Sequence, residues 1–148
     1  LDNHVDDTDF SKLSQSVLID FSDPLRLANF LQTTKFNFLT LGYENQIIGR
    51  REDIPKLRDL DYWLERAEEE PKVRKRIDEL SAILDDVSSR IAPPVLQTTT
   101  QGVELTYYLW VRLAGRVFEL KSSFRRDGTF LWSGKQIASD VGDMIYPR

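Results

Sequence analysis

A stripe of apolar side chains between residues 73 and 91 constrains the fold more than any other feature of the sequence. Its members recur at the spacing of one helix face; they are Val73, Ile77, Leu80, Leu84, Val87 and Ile91. A similar stripe precedes it, made of Leu57, Leu60, Leu64 and Ala67. Pro71 lies between the two stripes and suits the first turn of a new helix. The sequence therefore predicts an antiparallel helical pair at about residues 53–92, which as an insertion either packs on a globular body or protrudes from it.

After Pro93-Pro94 the hydrophobic period changes from that of a helix to that of a strand. Apolar and polar residues alternate from Val103 to Leu113, which is typical of a half-buried strand. Turns at Ala114-Gly115 and Asp127-Gly128 separate this strand from two further strands, Arg116–Phe124 and Thr129–Trp132. A last helix is predicted after Ser133-Gly134 on the apolar residues Ile137, Val141, Met144 and Ile145. The C-terminal third is thus expected to be an antiparallel sheet closed by a C-terminal helix.

The N-terminal third combines several shorter signals. Residues 1–15 are rich in aspartate and predict a mobile acidic tail, and Ser16–Phe21 predicts a buried strand. Asp23 and Pro24 suit the N-cap and first position of a helix that runs to about Thr33. Phe36–Leu41 and Gln46–Arg50 predict a β-hairpin. Together these elements predict a single α+β domain over residues 16–148.

Composition excludes several classes of site. The 148 residues include no cysteine and a single histidine, His4, which removes thiolate metal sites, cysteine nucleophiles and a histidine triad built in the core. The formal net charge of −4 is a poor match for duplex DNA. No apolar run is long enough to span a membrane. Because the chain begins at Leu1, we expect a soluble fragment or processed product, cytosolic or in an organelle after loss of a targeting peptide.

Three patterns in the sequence bear on catalysis or on metal and anion binding. Glu119-Leu120-Lys121 matches the acid-x-lysine element of metal-dependent nucleases, with Glu104 as a candidate second carboxylate. Ser133-Gly134-Lys135 precedes the predicted last helix and could bind an anion there, although its spacing does not match a P-loop. Acidic pairs such as Asp140 and Asp143 are interpreted as solvated helix faces. We therefore predict no catalytic residues, no metal site and no cofactor.

One sheet face could present aromatic and basic side chains together. The candidate binding face consists of Tyr108, Trp110, Arg112, Lys121 and Arg125. Such a face stacks bases in proteins that bind single-stranded nucleic acids. The competing interpretation is that its aromatic residues are buried against the helical pair, with the arginines at the rim.

The C-terminal third also resembles the closing part of the PsbP-like family of extrinsic photosystem proteins. The similar order is a strand at Val95-Leu96-Gln97, a "YY-L" strand at Tyr107-Tyr108-Leu109, a strand at Arg116–Ser122, the segment Asp127-Gly128-Thr129-Phe130-Leu131, Trp132 and a final helix. The segment SVLI followed by Ser22-Asp23-Pro24 and a helix resembles the middle of that family. The resemblance implies a non-catalytic subunit of the thylakoid lumen that binds a membrane complex.

The function predicted from these patterns is a non-enzymatic protein-interaction subunit, an accessory or assembly component of a larger complex. A charge-dense helical pair is a simple way to present a docking surface. A module that binds single-stranded nucleic acid through the aromatic-basic sheet face is the alternative. The patterns do not specify the partner or the oligomeric state.

Overall fold

The computed structural model describes residues 2–5 and 23–146. The strands are β1 (Asp2–Val5), β2 (Asn45–Ile48), β3 (Val95–Thr98), β4 (Gly102–Val111), β5 (Arg116–Arg125) and β6 (Phe130–Ala138). The helices are α1 (Pro24–Thr34), α2 (Leu60–Glu69) and α3 (Pro71–Arg90), with short 3-10 turns at Asn37–Thr40 and Arg51–Asp53. The α+β class predicted from the sequence is confirmed.

All strand pairings of the sheet are antiparallel. The strands follow the order β1-β6-β5-β4-β2, and β3 pairs with β4 as well. Strand β4 pairs with β5 over its full length, from Gly102 opposite Arg125 to Val111 opposite Arg116. On its other edge β4 pairs first with β3 and then with β2. This long central strand therefore anchors the two segments that flank the helical pair in the sequence.

The predicted helix starts are confirmed at α1 and α3. Asp23 caps α1 by accepting a hydrogen bond from the Arg26 backbone N–H, at 3.2 Å, and Pro24 occupies the first turn. Pro71 opens α3, where its missing N–H leaves no helical bond unmade. Helices α2 and α3 pack against each other and are joined only by Glu70. We call α2 and α3 together the helical hairpin.

The sheet separates two apolar cores. Helix α1 covers one face through Leu27, Ala28 and Leu31, which lie over the β4 side chains Leu105, Tyr107 and Leu109. Phe36 and Trp132 join this first core, with ring centroids 4.9 Å apart. The opposite face carries a smaller core, formed by Ile48, Ile54, Val87, Ile91, Trp110, Val117 and Val141. Each large apolar side chain fully buried in these cores contributes about 1.5–3 kcal/mol to folding.

The hairpin predicted for Phe36–Leu41 and Gln46–Arg50 is wrong. Residues Asn37–Thr40 form a 3-10 turn, and Leu41 takes a left-handed conformation with φ of 50°. The chain must turn here because Phe36 is fully buried against Trp132 directly after α1 ends. The second predicted strand does exist as β2, but its partner is β4.

The predicted C-terminal helix is also wrong. Strand β6 continues through Ser133-Gly134 to Ala138, since β5 offers a complete row of backbone partners up to Val117. The chain then turns, and Ile145 forms an isolated parallel bridge with Leu113. Ile137 and Val141 still reach the second core, although from a strand and a turn rather than from a helix.

The predicted mobile tail needs one correction. Asp2–Val5 form β1, which pairs with β6 from Asp2 opposite Ser133 to Val5 opposite Phe130. The rest of the predicted tail and the predicted strand at Ser16–Phe21 lie outside the described residues.

Candidate functional site

The helical hairpin rests on the sheet through only part of its length. The last turn of α3 supplies Val87 to the second core, and Ile91 follows directly after the helix. Ile83 and Leu84 pack beside them. The earlier members of the same stripe, Val73, Ile77 and Leu80, are half-buried and belong to neither core. The first half of α3 therefore keeps an apolar face that the body of the domain does not fill.

This face lines an open cleft between the hairpin and the body. A depression of about 630 Å³ lies between the hairpin and residues 143–146, and one of about 410 Å³ lies between α3 and residues 51–57. The two depressions share Leu57, Ile77 and Leu80. We call both together the hairpin cleft; its other apolar walls include Leu60, Trp63, Val73, Leu84, Met144 and Ile145.

An ion pair forms the polar floor of the larger depression. Arg112 Nη2 lies 3.1 Å from Asp143 Oδ2, and the two side chains are 17% and 13% exposed. Arg112 Nη1 lies 3.5 Å from the exposed Glu44. Arg112 Nε is buried and has no hydrogen-bond partner among the described residues. The carboxylate of Asp143 also accepts from the backbone N–H of Arg58 at 3.3 Å, so the floor is tied to the loop before α2.

A second set of polar contacts links α3 to the turn after β6. Arg76 Nη2 lies 3.5 Å from Asp140 Oδ1, and Tyr146 donates a hydrogen bond to the same carboxylate. Gly142 packs so closely that a β-carbon there would lie 2.6 Å from the Pro55 carbonyl oxygen, and its φ of 66° suits glycine. These contacts set the width of the cleft at its base.

On α2, Trp63 supplies an aromatic wall of the cleft and packs against Tyr62. Tyr62 and Trp63 meet edge to face with centroids 5.5 Å apart, and the Arg66 guanidinium lies 5.7 Å from the Trp63 ring centroid. Trp63 lines the cleft while it stays 37% exposed, and Tyr62 is 53% exposed. Large aromatic residues held on a rigid helix at an open apolar cleft are typical of binding surfaces.

The predicted aromatic-basic face is not one exposed platform. Tyr108, Trp110, Lys121 and Arg125 do share a sheet face, by the register of β4 and β5. Trp110, however, is fully buried beneath α3, and its indole N–H donates to the Val141 carbonyl at 2.8 Å. Arg112 lies beyond the end of β4 in the hairpin cleft. Burial against the helical hairpin, the competing interpretation from the sequence, describes Trp110 correctly.

The half of this face away from the hairpin is open and polar. Lys121 is exposed, Arg125 is half-buried, and Tyr108 donates a 3.0 Å hydrogen bond to Glu119. Burial raises the pKa of Tyr108, and the Glu119 carboxylate raises it further. Tyr108 is thus oriented toward a carboxylate of its own sheet.

The register of the sheet separates the residues considered for metal catalysis. Glu119 and Lys121 share a face, but Glu104 is opposite Ser123, four residues along the strand from Glu119. That offset corresponds to about 14 Å, too far for both carboxylates to hold one ion. No cluster of three or more metal-ligating side chains occurs within residues 23–146. Ser133-Gly134-Lys135 lies inside β6, so the predicted helix N-terminus for an anion is absent there.

Several cleft residues could not be identified from the sequence. The sequence pattern predicts a solvated helix face for Asp143, yet Asp143 is nearly buried and pairs with Arg112. Leu57 was assigned to the first helix, which instead begins at Leu60, and its loop position lets it line both depressions. The available signal was the stripe on α3, which extends further than the part that the body covers.

The chain matches no family model, no curated protein and no solved structure. Its resemblance to PsbP-like proteins accordingly stays a prediction. None of the helices in the described part of the chain combines the length and the apolar character that crossing a bilayer requires.

Proposed function

We propose that this chain is a non-enzymatic protein-interaction domain, an accessory or assembly subunit of a larger complex. The observation that carries the proposal is the hairpin cleft, where Val73, Ile77 and Leu80 face open space rather than a core. An apolar stripe left unfilled on a rigid helix is a surface that a partner can bury.

The electrostatics of the hairpin support a role in docking. Its outer surface carries exposed pairs such as Arg74–Asp78 and Arg66–Glu70, which keep the hairpin helical and hydrated without supplying much stability. The cleft side of α3 is apolar, through Val73, Ile77 and Leu80. A partner is therefore directed to one side of the hairpin. The resemblance to PsbP-like proteins adds photosynthetic complexes to the partners worth testing.

Affinity purification of the full chain from native extract, with and without nuclease, tests the proposal. The cleft variant combines Ile77→Ala with Leu80→Ala. The matched control is Leu41→Ala, which truncates an apolar side chain that is 66% exposed and lies in the turn after α1. We expect the wild-type chain and the control to recover the same proteins in near-stoichiometric amounts, insensitive to nuclease. The cleft variant should recover far less of them. Equal recovery by all three chains would contradict the proposal.

Binding of single-stranded nucleic acid is the second candidate. Its support is the open half of the sheet face, where Lys121, Arg125 and Lys135 lie together with Glu104 and Glu119. With Trp110 buried, Tyr108 alone remains of the two aromatic residues of the candidate face that could stack on a base. Nuclease-sensitive recovery that is lost in a Lys121→Glu, Arg125→Glu variant would favour this candidate instead.

A further inference from the structure

The charges around the hairpin cleft differ in sign from the charge of the whole chain. The chain carries a net charge of −4, yet the cleft is lined by five basic residues and only two acidic ones. The basic residues are Arg51, Lys56, Arg58, Arg76 and Arg112, and the acidic residues are Glu52 and Asp143. Basic side chains thus outnumber acidic ones among the residues that line the cleft, although the protein is acidic as a whole.

Three of these basic residues already have carboxylate partners. Arg51 pairs with Asp85, Arg76 pairs with Asp140, and Arg112 pairs with Asp143. The side chains of Lys56 and Arg58 are exposed and make no ion pair with any residue in the described part of the chain. The cleft therefore has two uncompensated cations, Lys56 and Arg58, and one carboxylate without a basic partner in the described part of the chain, Glu52.

Lys56 and Arg58 flank Leu57 in the sequence and line different depressions of the cleft. Leu57 lines both depressions, whereas Lys56 lines the smaller one and Arg58 the larger one. The apolar wall opposite runs along α3 from Val73 to Leu84, a length of about 17 Å, or about three helical turns. A helix laid in this groove would bury its apolar face on Ile77 and Leu80 and bring its polar flank beside both cations.

From this arrangement we infer that the occupant of the hairpin cleft is an acidic amphipathic helix of a partner protein. The inference rests on the proposed function and adds the chemistry of the ligand. Apolar residues of that helix, three or four positions apart, contact Leu57, Ile77 and Leu80. Its carboxylates pair with Lys56 and Arg58 at the rim, where charge complementarity selects the partner and speeds its association.

A display library of random peptides of about 16 residues, screened against the full chain, provides the test. We expect the enriched peptides to carry net negative charge and apolar residues at helical spacing. Their dissociation constants are then measured by fluorescence anisotropy. The variant Lys56→Glu, Arg58→Glu should weaken binding by about tenfold or more. The matched control, Lys72→Glu with Arg74→Glu, reverses two exposed charges of α3 outside the cleft and should leave binding unchanged.

The results that would contradict the inferred occupant differ from those that would contradict the proposed function. Enrichment of basic or uncharged peptides, no enrichment at all, or acidic peptides that bind both charge-reversed variants equally would each overturn the inferred occupant. The proposed function would survive those results if purification from extract still recovers proteins that the Ile77→Ala, Leu80→Ala variant loses. Melting curves of both charge-reversed variants show whether the fold is intact, and single reversals at Lys56 or Arg58 replace the double variant if it is not.

Discussion

Trp110 shows how one side chain can satisfy the pattern of a binding residue and still belong to the core. On an alternating strand it falls on the same face as Lys121 and Arg125, which suggests an exposed aromatic-basic surface. The sequence around it does not reveal that α3 lies over this end of the face. Burial with Val87 and Val141, and the hydrogen bond from its indole N–H to the Val141 carbonyl, tie three distant segments together.

Trp110→Ala should therefore destabilise the protein strongly. Removing a fully buried tryptophan from a core costs about 3–5 kcal/mol, and the Val141 carbonyl also loses its donor. Trp63→Ala on α2 is the matched control, because that ring is 37% exposed and should cost about 1 kcal/mol or less. Urea denaturation followed by circular dichroism measures both. Similar losses for the two variants would mean that Trp110 is not the more buried anchor.

At the scale of the elements, α3 divides into two parts with different roles. Its C-terminal half supplies Val87 to the second core and leads into Ile91, whereas Ile77 and Leu80 in its first half line the hairpin cleft. The sequence pattern is uniform along the helix, so periodicity alone predicts one continuous buried stripe. The extent of burial depends on where the sheet ends beneath the helix.

Alanine substitutions at the two ends of the apolar stripe should differ in their effect on stability. Ile91→Ala should cost about 2–5 kcal/mol, because Ile91 is only 9% exposed and packs in the second core. Leu80→Ala should cost about 1 kcal/mol or less, since its side chain already faces an open cleft. Thermal melts of the two variants give the comparison. A loss for Leu80→Ala as large as for Ile91→Ala would place Leu80 in the core and remove the basis for a docking cleft.

Elements whose signals lie within their own sequence were predicted correctly, whereas elements that depend on contacts with distant segments were not. The helices α1 and α3 and the strands β4 and β5 carry their signals locally, in caps, proline positions and long regular periods. The segment from Ser133 to Ile145 has apolar residues at spacings that also fit a helix, and pairing with β5 decides its first half as a strand. The hairpin cleft could not be predicted, because it joins Leu57, Ile77 and Asp143 from three separate segments.

At the scale of the whole molecule, the sheet separates a large apolar core from a small one. Tyr107 lies in the large core, fully buried, with its hydroxyl donating to Gln32 Oε1 at 3.4 Å. The Gln32 amide in turn donates to the Phe36 carbonyl. This short polar chain joins β4, α1 and the turn after α1, so the ionisation of Tyr107 affects the folded state as a whole.

Alkaline pH should unfold the protein partly through Tyr107. Burial raises the pKa of Tyr107 far above its ordinary value, so the folded protein keeps the phenol protonated while the unfolded chain loses that proton above about pH 10. The free energy of unfolding is then unaffected below about pH 10 and falls above it by about 1.4 kcal/mol per pH unit for this one proton.

The variant Tyr107→Phe keeps the ring in the core and removes the titrating group. We expect it to be somewhat less stable than the wild-type chain near pH 7, because Gln32 Oε1 loses its donor. It should also lose less stability between about pH 10 and pH 11. Some alkaline dependence should remain, since the pKa of Tyr108 is also raised. Urea denaturation at a series of pH values measures the two slopes. Complete burial between α1 and the sheet should keep Tyr107 protonated in the folded protein. Equal slopes for the wild-type chain and the variant would contradict this prediction, because they would show that Tyr107 ionises as readily in the folded protein as in the unfolded chain.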